Sequence, residues 1–194
     1  MNVGRMLVAG VVVGAGLAAA MVAAPRAQER DRDRIVMVGG ESMFPSKNII
    51  ANAMNSKDHT TLVAAVKAAG LVETLQGPGP FTVFAPTNAA FAKLPAGTVE
   101  SLLRPENKAM LTKVLTYHVV AGRLDAEALW QKVQAGMGTA SLETVSGGML
   151  WVVSNGSKNL LLKDEKGMTA EISTYDVAQS NGVIHVITSV LMPK

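Results

Sequence analysis

Residues 81–91 read F-T-V-F-A-P-T-N-A-A-F. Phe81–Ala85 is an uncharged run rich in β-prone residues, which predicts a buried strand. Pro86 ends it, because proline has no N–H to give to a sheet ladder. Thr87 or Asn88 then supplies the side-chain oxygen that caps a helical turn carrying Ala89, Ala90, Phe91 and Leu94. Upstream, Gly77-Pro78-Gly79-Pro80 is a strong break, and Leu71–Leu75 fits one further turn. Before that, Thr60 or Thr61 opens a helix with Leu62, Val63, Val66 and Ala69 on one side and Gly70 as its stop. Ser46 is placed to cap a short helix containing Ile49, Ile50, Ala53 and Met54.

Downstream, Pro95–Leu103 gives a short helix with Thr98 near its start. Pro105–His118 gives the clearest one, with Met110, Leu111, Val114, Leu115 and His118 on one face and Pro105 in its first turn. Asp125 caps a last helix around Ala126–Val133. Past Gly136 the texture changes to short β-like runs: Thr139–Val145, Met149–Ser154, Lys158–Lys163 and Met168–Ser173. Ser146-Gly147-Gly148, Asn155-Gly156 and Glu165-Lys166-Gly167 separate them, and Asn-Gly is a two-residue hairpin signal. Asn181-Gly182 is another turn, and Val183–Ile187 a final strand. Helices dominate the first half and strands the second, so the fold class is α+β and not a string of βαβ units. No internal repeat and no second domain are evident.

The 194-residue chain is 48% hydrophobic but only 4% aromatic, carries a formal charge of +3 and has no cysteine. Disulfides, thiolate zinc sites and a cysteine nucleophile are thereby excluded. The hydrophobic share and the charge mix two kinds of sequence. Residues 1–27 combine a short head bearing Arg5, an uncharged run from Met6 to Ala24, and small residues at Val22, Ala23, Ala24 and Ala27. This is the layout of a secretory signal peptide, cleaved anywhere from Val22 to Gln28. A membrane anchor is the alternative, since about 20 apolar residues span a bilayer. Without the segment, the hydrophobic share falls to roughly 44%, an ordinary globular value. Arg5 and Arg26 leave with it, so the net charge becomes about +1 and offers no argument for a nucleic-acid partner. Residues 28–45 are a charged spacer, E-R-D-R-D-R at Glu29–Arg34, followed by an irregular lead-in containing Gly39, Gly40 and Pro45. The globular pattern begins near Ser46, giving a domain over 46–194.

The chain contains no G-x-S-x-G elbow, Walker loop, G-x-G-x-x-G or H-E-x-x-H. None of His59, His118 and His185 has a His, Asp or Glu at i+3 or i+4, so no metal pair shares a helix face. No cofactor is expected. Aromatic residues do not interleave with Lys or Arg, which removes a stacking platform for single-stranded nucleic acid. Asn155-Gly156-Ser157 matches a glycosylation sequon, though turn chemistry explains it equally well.

Three segments stand out together: Phe81–Phe91, Tyr117-His118 at the end of the long helical run, and Asn181–Pro193, N-G-V-I-H-V-I-T-S-V-L-M-P. In that order and spacing the chain resembles the fasciclin (FAS1) domain family over about Ser46–Pro193. The three are similar to its first homology segment, its Tyr-His dipeptide and its second homology segment. One departure is Thr188, where the family's second segment commonly carries Asp. The resemblance implies a β-wedge of about seven strands with several helices packed against it. It also implies a non-catalytic role in cell adhesion or extracellular-matrix or envelope binding, by a secreted or periplasmic binding protein. Membrane contact would come only through an uncleaved export signal. The partner would be a cell-surface or matrix protein or a polysaccharide. The family's receptor-binding region maps onto Tyr117, His118, Leu115, Val119 and Val120.

The residues themselves suggest structural work as well. His118 on an apolar helix face needs a hydrogen-bond partner if buried, and Thr87 or Asn88 could clip it to the strand end. His185 alternates with Val183 and Ile187 and shares their strand face. Two rivals remain at this level: an exported hydrolase using His118 or His185 as base, and a carrier of a small apolar ligand. The first needs an imidazole lining a pocket beside its nucleophile, the second a sizeable lined cavity.

Overall fold

The computed structural model describes residues 34–156 and 159–194. The expected signal peptide, most of the charged run and Ser157 of the sequon lie outside them.

The chain opens with β1 (Val36–Val38) and β2 (Glu41–Met43), an antiparallel hairpin pairing Val36 with Met43. The sequence predicts an irregular lead-in here. Instead Gly39 and Gly40, both at positive φ (62° and 76°), form the two-residue turn that such hairpins require. Val38 and Met43 point into the core. A Cβ on Gly39 would stand 2.8 Å from the Asp58 backbone nitrogen, so glycine is also what lets the hairpin settle there.

Next come α1 (Ile49–Ala53) and, after a 3-10 turn at Lys57–His59, α2 (Thr60–Ala69) and α3 (Val72–Gln76). The cap of α1 is Asn48, whose side chain accepts from Ala51 N–H, not Ser46. Gly70 ends α2 in the left-handed conformation, as its position predicts. β3 (Phe81–Pro86) leads into α4 (Asn88–Ala92), capped by Thr87. After α5 (Thr98–Leu102), the predicted helix over 105–118 divides into a 3-10 turn at Pro105–Asn107 and α6 (Lys108–Tyr117). Met110, expected on its buried face, is 54% exposed. β4 (Val119–Ala121) follows at once, and Asp125 caps α7 (Ala126–Ala135).

The remainder is β5 (Thr139–Glu143), β6 (Met149–Asn155), β7 (Asn159–Lys163), β8 (Thr169–Gln179) and β9 (Gly182–Ile187). Seven strands form one mixed sheet in the order β4-β3-β9-β8-β7-β6-β5, and a bridge between Val120 and Thr144 nearly closes it into a barrel. The fold is the α+β wedge that the motifs imply.

Only β3 and β9 run parallel, Phe81 opposite Gly182 through Pro86 opposite Ile187. Both strands are covered on both faces, which explains their nearly unbroken apolar sequences. Val83, Ala85, Ile184 and Val186 face a core shared with α1, α2, α6 and the hairpin. Phe84 and Ile187 face a second core inside the curled β5–β8 sheet, plugged by Leu129 and Val133 of α7. Asn181, just before β9, holds this junction. Its carbonyl accepts from Phe81 N–H, its side-chain oxygen accepts from Ile49 N–H, and its amide donates to Leu75 and Gly77 carbonyls.

Candidate functional site

The three motifs converge on the ends of β3 and β9. Asn88 sits in the first turn of α4 and reaches sideways. Its Oδ1 accepts from Thr61 N–H (3.0 Å) and from the Thr60 hydroxyl (3.2 Å), and its Nδ2 donates to the Lys57 carbonyl (2.9 Å). It therefore ties α4 to the start of α2, and neither it nor Thr87 is the partner of His118. Asn88→Ala strips one cap from the start of α2 and is expected to cost about 1–2 kcal/mol. A thermal melt of the variant against wild type checks this, and Thr87→Ala should cost a similar amount through its own cap.

Tyr117 ends α6 and His118 is its C-cap residue. The Tyr117 hydroxyl donates to the Met149 carbonyl (2.6 Å) and accepts from Glu165 N–H (3.2 Å). Burial pushes this phenol up to about 12. His118 is held from both sides. A carbonyl can only accept, so His118 Nδ1–H donates to Val114 O (2.8 Å). An amide can only donate, so Leu191 N–H gives its hydrogen to His118 Nε2 (3.0 Å). The ring is thereby neutral and of one tautomer. Burial lowers its pKa to about 4, against the smaller opposing effects of the Val114 bond and the Asp164 carboxylate.

Two carboxylates extend the network. Buried Asp164 accepts from Lys166 and Met168 N–H with Oδ1 and from Met192 N–H with Oδ2. Glu165 accepts from Met149 N–H and Lys194 N–H, bonds that hold its carboxyl below the usual range, that to Lys194 foremost. His118, Asp164 and Glu165 thus take the N–H groups of Leu191, Met192 and Lys194, a segment with no strand partner of its own. Lys113 Nζ donates to the Lys194 carbonyl at 2.6 Å. The sequence marks Glu165-Lys166-Gly167 only as a turn; nothing local signals that Asp164 is 1% exposed and a triple acceptor.

The other two histidines are also buried. His185 stacks on Phe84, with Nε2–H donating to the Leu124 carbonyl (2.8 Å) and Nδ1 facing Asp176 N–H at 3.4 Å. His59 Nδ1 pairs with the Ser56 hydroxyl at 2.8 Å, while its Nε2 has no hydrogen-bond partner. Burial lowers both pKa values. His118 and His185 therefore have both ring nitrogens committed to backbone groups and neither is hydrogen-bonded to a hydroxyl, so neither is poised as the base that the hydrolase reading needs. The Ser56–His59 pair is closed off, beside an apolar void of about 20 Å³.

A second apolar void, about 40 Å³, lies between α1, α2 and the β3–β9 pair, with His118 in its wall. Its volume is that of a water or two, far from the several hundred Å³ of a ligand pocket, so this void does not serve the carrier reading. Leu115, Tyr117, His118, Val119 and Val120 are each no more than 5% exposed. The region to which the family's receptor contacts map faces inward. At Thr188, the departure from the family pattern, the hydroxyl accepts from Glu171 N–H (3.2 Å) and the carbonyl accepts from Lys93 Nζ (2.7 Å). Among the described residues no group of three or more His, Asp or Glu gathers to hold a metal. Nor is any helix there long and apolar enough to cross a membrane.

Comparison with known proteins agrees with this architecture. The fasciclin domain profile matches residues 57–193. Protein sll1483 of Synechocystis sp. is 45% identical over 182 residues, 92% of this chain and 91% of that one. Cell surface glycolipoprotein MPB83 of Mycobacterium bovis is 34% identical over 146 residues, 73% of this chain and 58% of that one. A solved FAS1 domain pair from the insect cell adhesion molecule fasciclin I superposes with a TM-score of 0.68 at 17% identity, over 77% of this chain and 52% of that one. This chain belongs to the fasciclin domain family.

Proposed function

We propose that this is an exported, non-catalytic binding protein that works in cell-surface adhesion or envelope contact, in the periplasm or outside the cell. One observation carries the reading. Tyr117, His118 and His185, the chemically versatile groups of the family motifs, are spent inside the fold, which leaves interaction to the outer surface. The signal-like residues 1–27 and a relative named for the cell surface support the location. The partner class is a cell-surface or matrix protein or a polysaccharide.

Affinity capture tests the reading. The purified exported chain, immobilised and exposed to cell-envelope fractions and to polysaccharides, is expected to retain a saturable partner. Retention of nothing in either arm, together with turnover of an ester or amide substrate, overturns it. Mass spectrometry of protein recovered from the periplasm or medium should find an N-terminus created by cleavage between Val22 and Gln28.

A further inference from the structure

Asn155-Gly156 and Asn181-Gly182 are the two asparagine-glycine pairs of the chain, and both lie at turns. Asparagine followed by glycine carries a built-in reaction. The next backbone nitrogen, once deprotonated, attacks the side-chain amide carbon, and glycine has no side chain to hinder the approach. The fold decides which asparagines are free to react. A reactive one needs an unbound side chain and a following nitrogen that is not held in place.

Asn48, Asn52, Asn88, Asn107 and Asn181 have side chains hydrogen-bonded to other parts of the chain. Those of Asn55, Asn155 and Asn159 bond to no other described residue. Asn55 is disarmed by its neighbour: Ser56 is buried and its N–H donates to the Ala53 carbonyl (3.1 Å). After Asn159, Leu160 N–H donates to the Tyr175 hydroxyl (2.9 Å). Asn181 is pinned at both ends of its amide. Ile49 N–H donates to Oδ1, and Nδ2 donates to the Leu75 and Gly77 carbonyls (2.8 and 3.0 Å). Gly182 is also paired with Gln179 on one side and Phe81 on the other. Asn155 is placed differently. It is the exposed last residue of β6, and Gly156 stands outside the ladder at φ 73°, with open space where a Cβ would be.

We infer that Asn155 converts spontaneously to aspartate and isoaspartate in the folded protein, with water as co-reactant, while the other asparagines of residues 34–194 stay amides. The bond from the Gly156 nitrogen to Asn155 Cγ forms and the Cγ–Nδ2 bond breaks. Nδ2 leaves as ammonia, taking the proton that the Gly156 nitrogen gave up. Water then opens the cyclic imide. Cleavage at Cγ leaves aspartate; cleavage at the main-chain carbonyl leaves isoaspartate, whose extra methylene runs through the backbone. Either product adds an anion in a hollow that Glu171 also lines. Older copies of the protein therefore carry a more negative end on the β6–β7 hairpin.

The test incubates the full exported chain, folded, in mildly alkaline buffer. Peptide mapping by mass spectrometry reads the loss of amide, and labelling by isoaspartyl methyltransferase reads the rearranged product. Residue 155 is expected to convert about tenfold or more faster than residue 181, because Asn181 reacts only when its region opens. In denaturant in the same buffer the two are expected to convert at similar rates, since both precede glycine. Asn155→Gln is expected to remove the methyltransferase label from the folded chain. Asn155 remaining an amide while the denatured chain reacts overturns the inference. So does Asn181 converting as fast as Asn155 in the folded chain, or a label undiminished in Asn155→Gln. A glycan on Asn155 in protein recovered from its own cells, which would block the amide, also overturns it.

Discussion

His118→Ala is expected to lower stability by about 3–4 kcal/mol and the melting midpoint by about 10 °C. Two costs add. The imidazole leaves behind a void that merges with the 40 Å³ one it already lines. It also strands two buried backbone groups, the Val114 carbonyl and the Leu191 N–H, each costing about 1–3 kcal/mol if no water enters. Loss of the Leu191 bond further loosens the segment that Asp164 and Glu165 hold beside it. Differential scanning calorimetry of the variant checks the midpoint. Binding measured on its folded fraction should match wild type; an H118A chain of full stability that no longer binds would put His118 on the contact surface instead.

Mild acid is the second large effect. Three buried histidines are held below their ordinary pKa, His118 at about 4 against 6.5 in an unfolded chain. Between those two values the unfolded state binds the proton and the folded state does not, so stability rises with pH across that window. The stabilisation is present in full above pH 6.5 and is lost progressively as pH falls toward 4. For His118 alone it amounts to about 3 kcal/mol. His59 and His185 act with the same sign. Glu165, whose carboxyl is also held low, adds a loss of the same direction at still lower pH. Chemical denaturation between pH 7.5 and 4 should show this slope, and His118→Gln, though less stable at neutral pH, should flatten it. A stability independent of pH across the window would contradict the buried neutral rings.

What could be read from the sequence was local. Asp125 is identifiable as a cap, and Thr87 as one of two candidates with Asn88, because a cap and the N–H it accepts lie three residues apart. Phe81–Ala85 and Val183–Ile187 are identifiable as strands because both faces are buried, which makes them mostly apolar; the structure extends them by one residue each, to Pro86 and back to Gly182. What escaped was distant or short. The need of His118 for a partner is legible, but its donor, Leu191, lies 73 residues away. Asn88 is legible as polar and near a helix start, but its partners are 27–31 residues upstream. The hairpin at Val36–Met43 and the strand Val119–Ala121 use three-residue strands, too short to show a period. β8 outruns its predicted end at Ser173 because polar residues and register shifts between Ile172 and Val177 disguise its continuation.

The parallel pairing at the centre of the sheet also sets the order of events when the chain folds. β3 and β9 meet across about a hundred residues, and no hairpin can bring them together. Until the last dozen or so residues arrive, β3 lacks its inner neighbour, β8 is paired on its β7 side alone, and His118 lacks the amide that occupies its ring. Assembly is therefore slow compared with a helical bundle of the same size, and its keystone is laid last. Under the export reading proposed above, a chain passing unfolded through a membrane would close its domain only once its final segment is through.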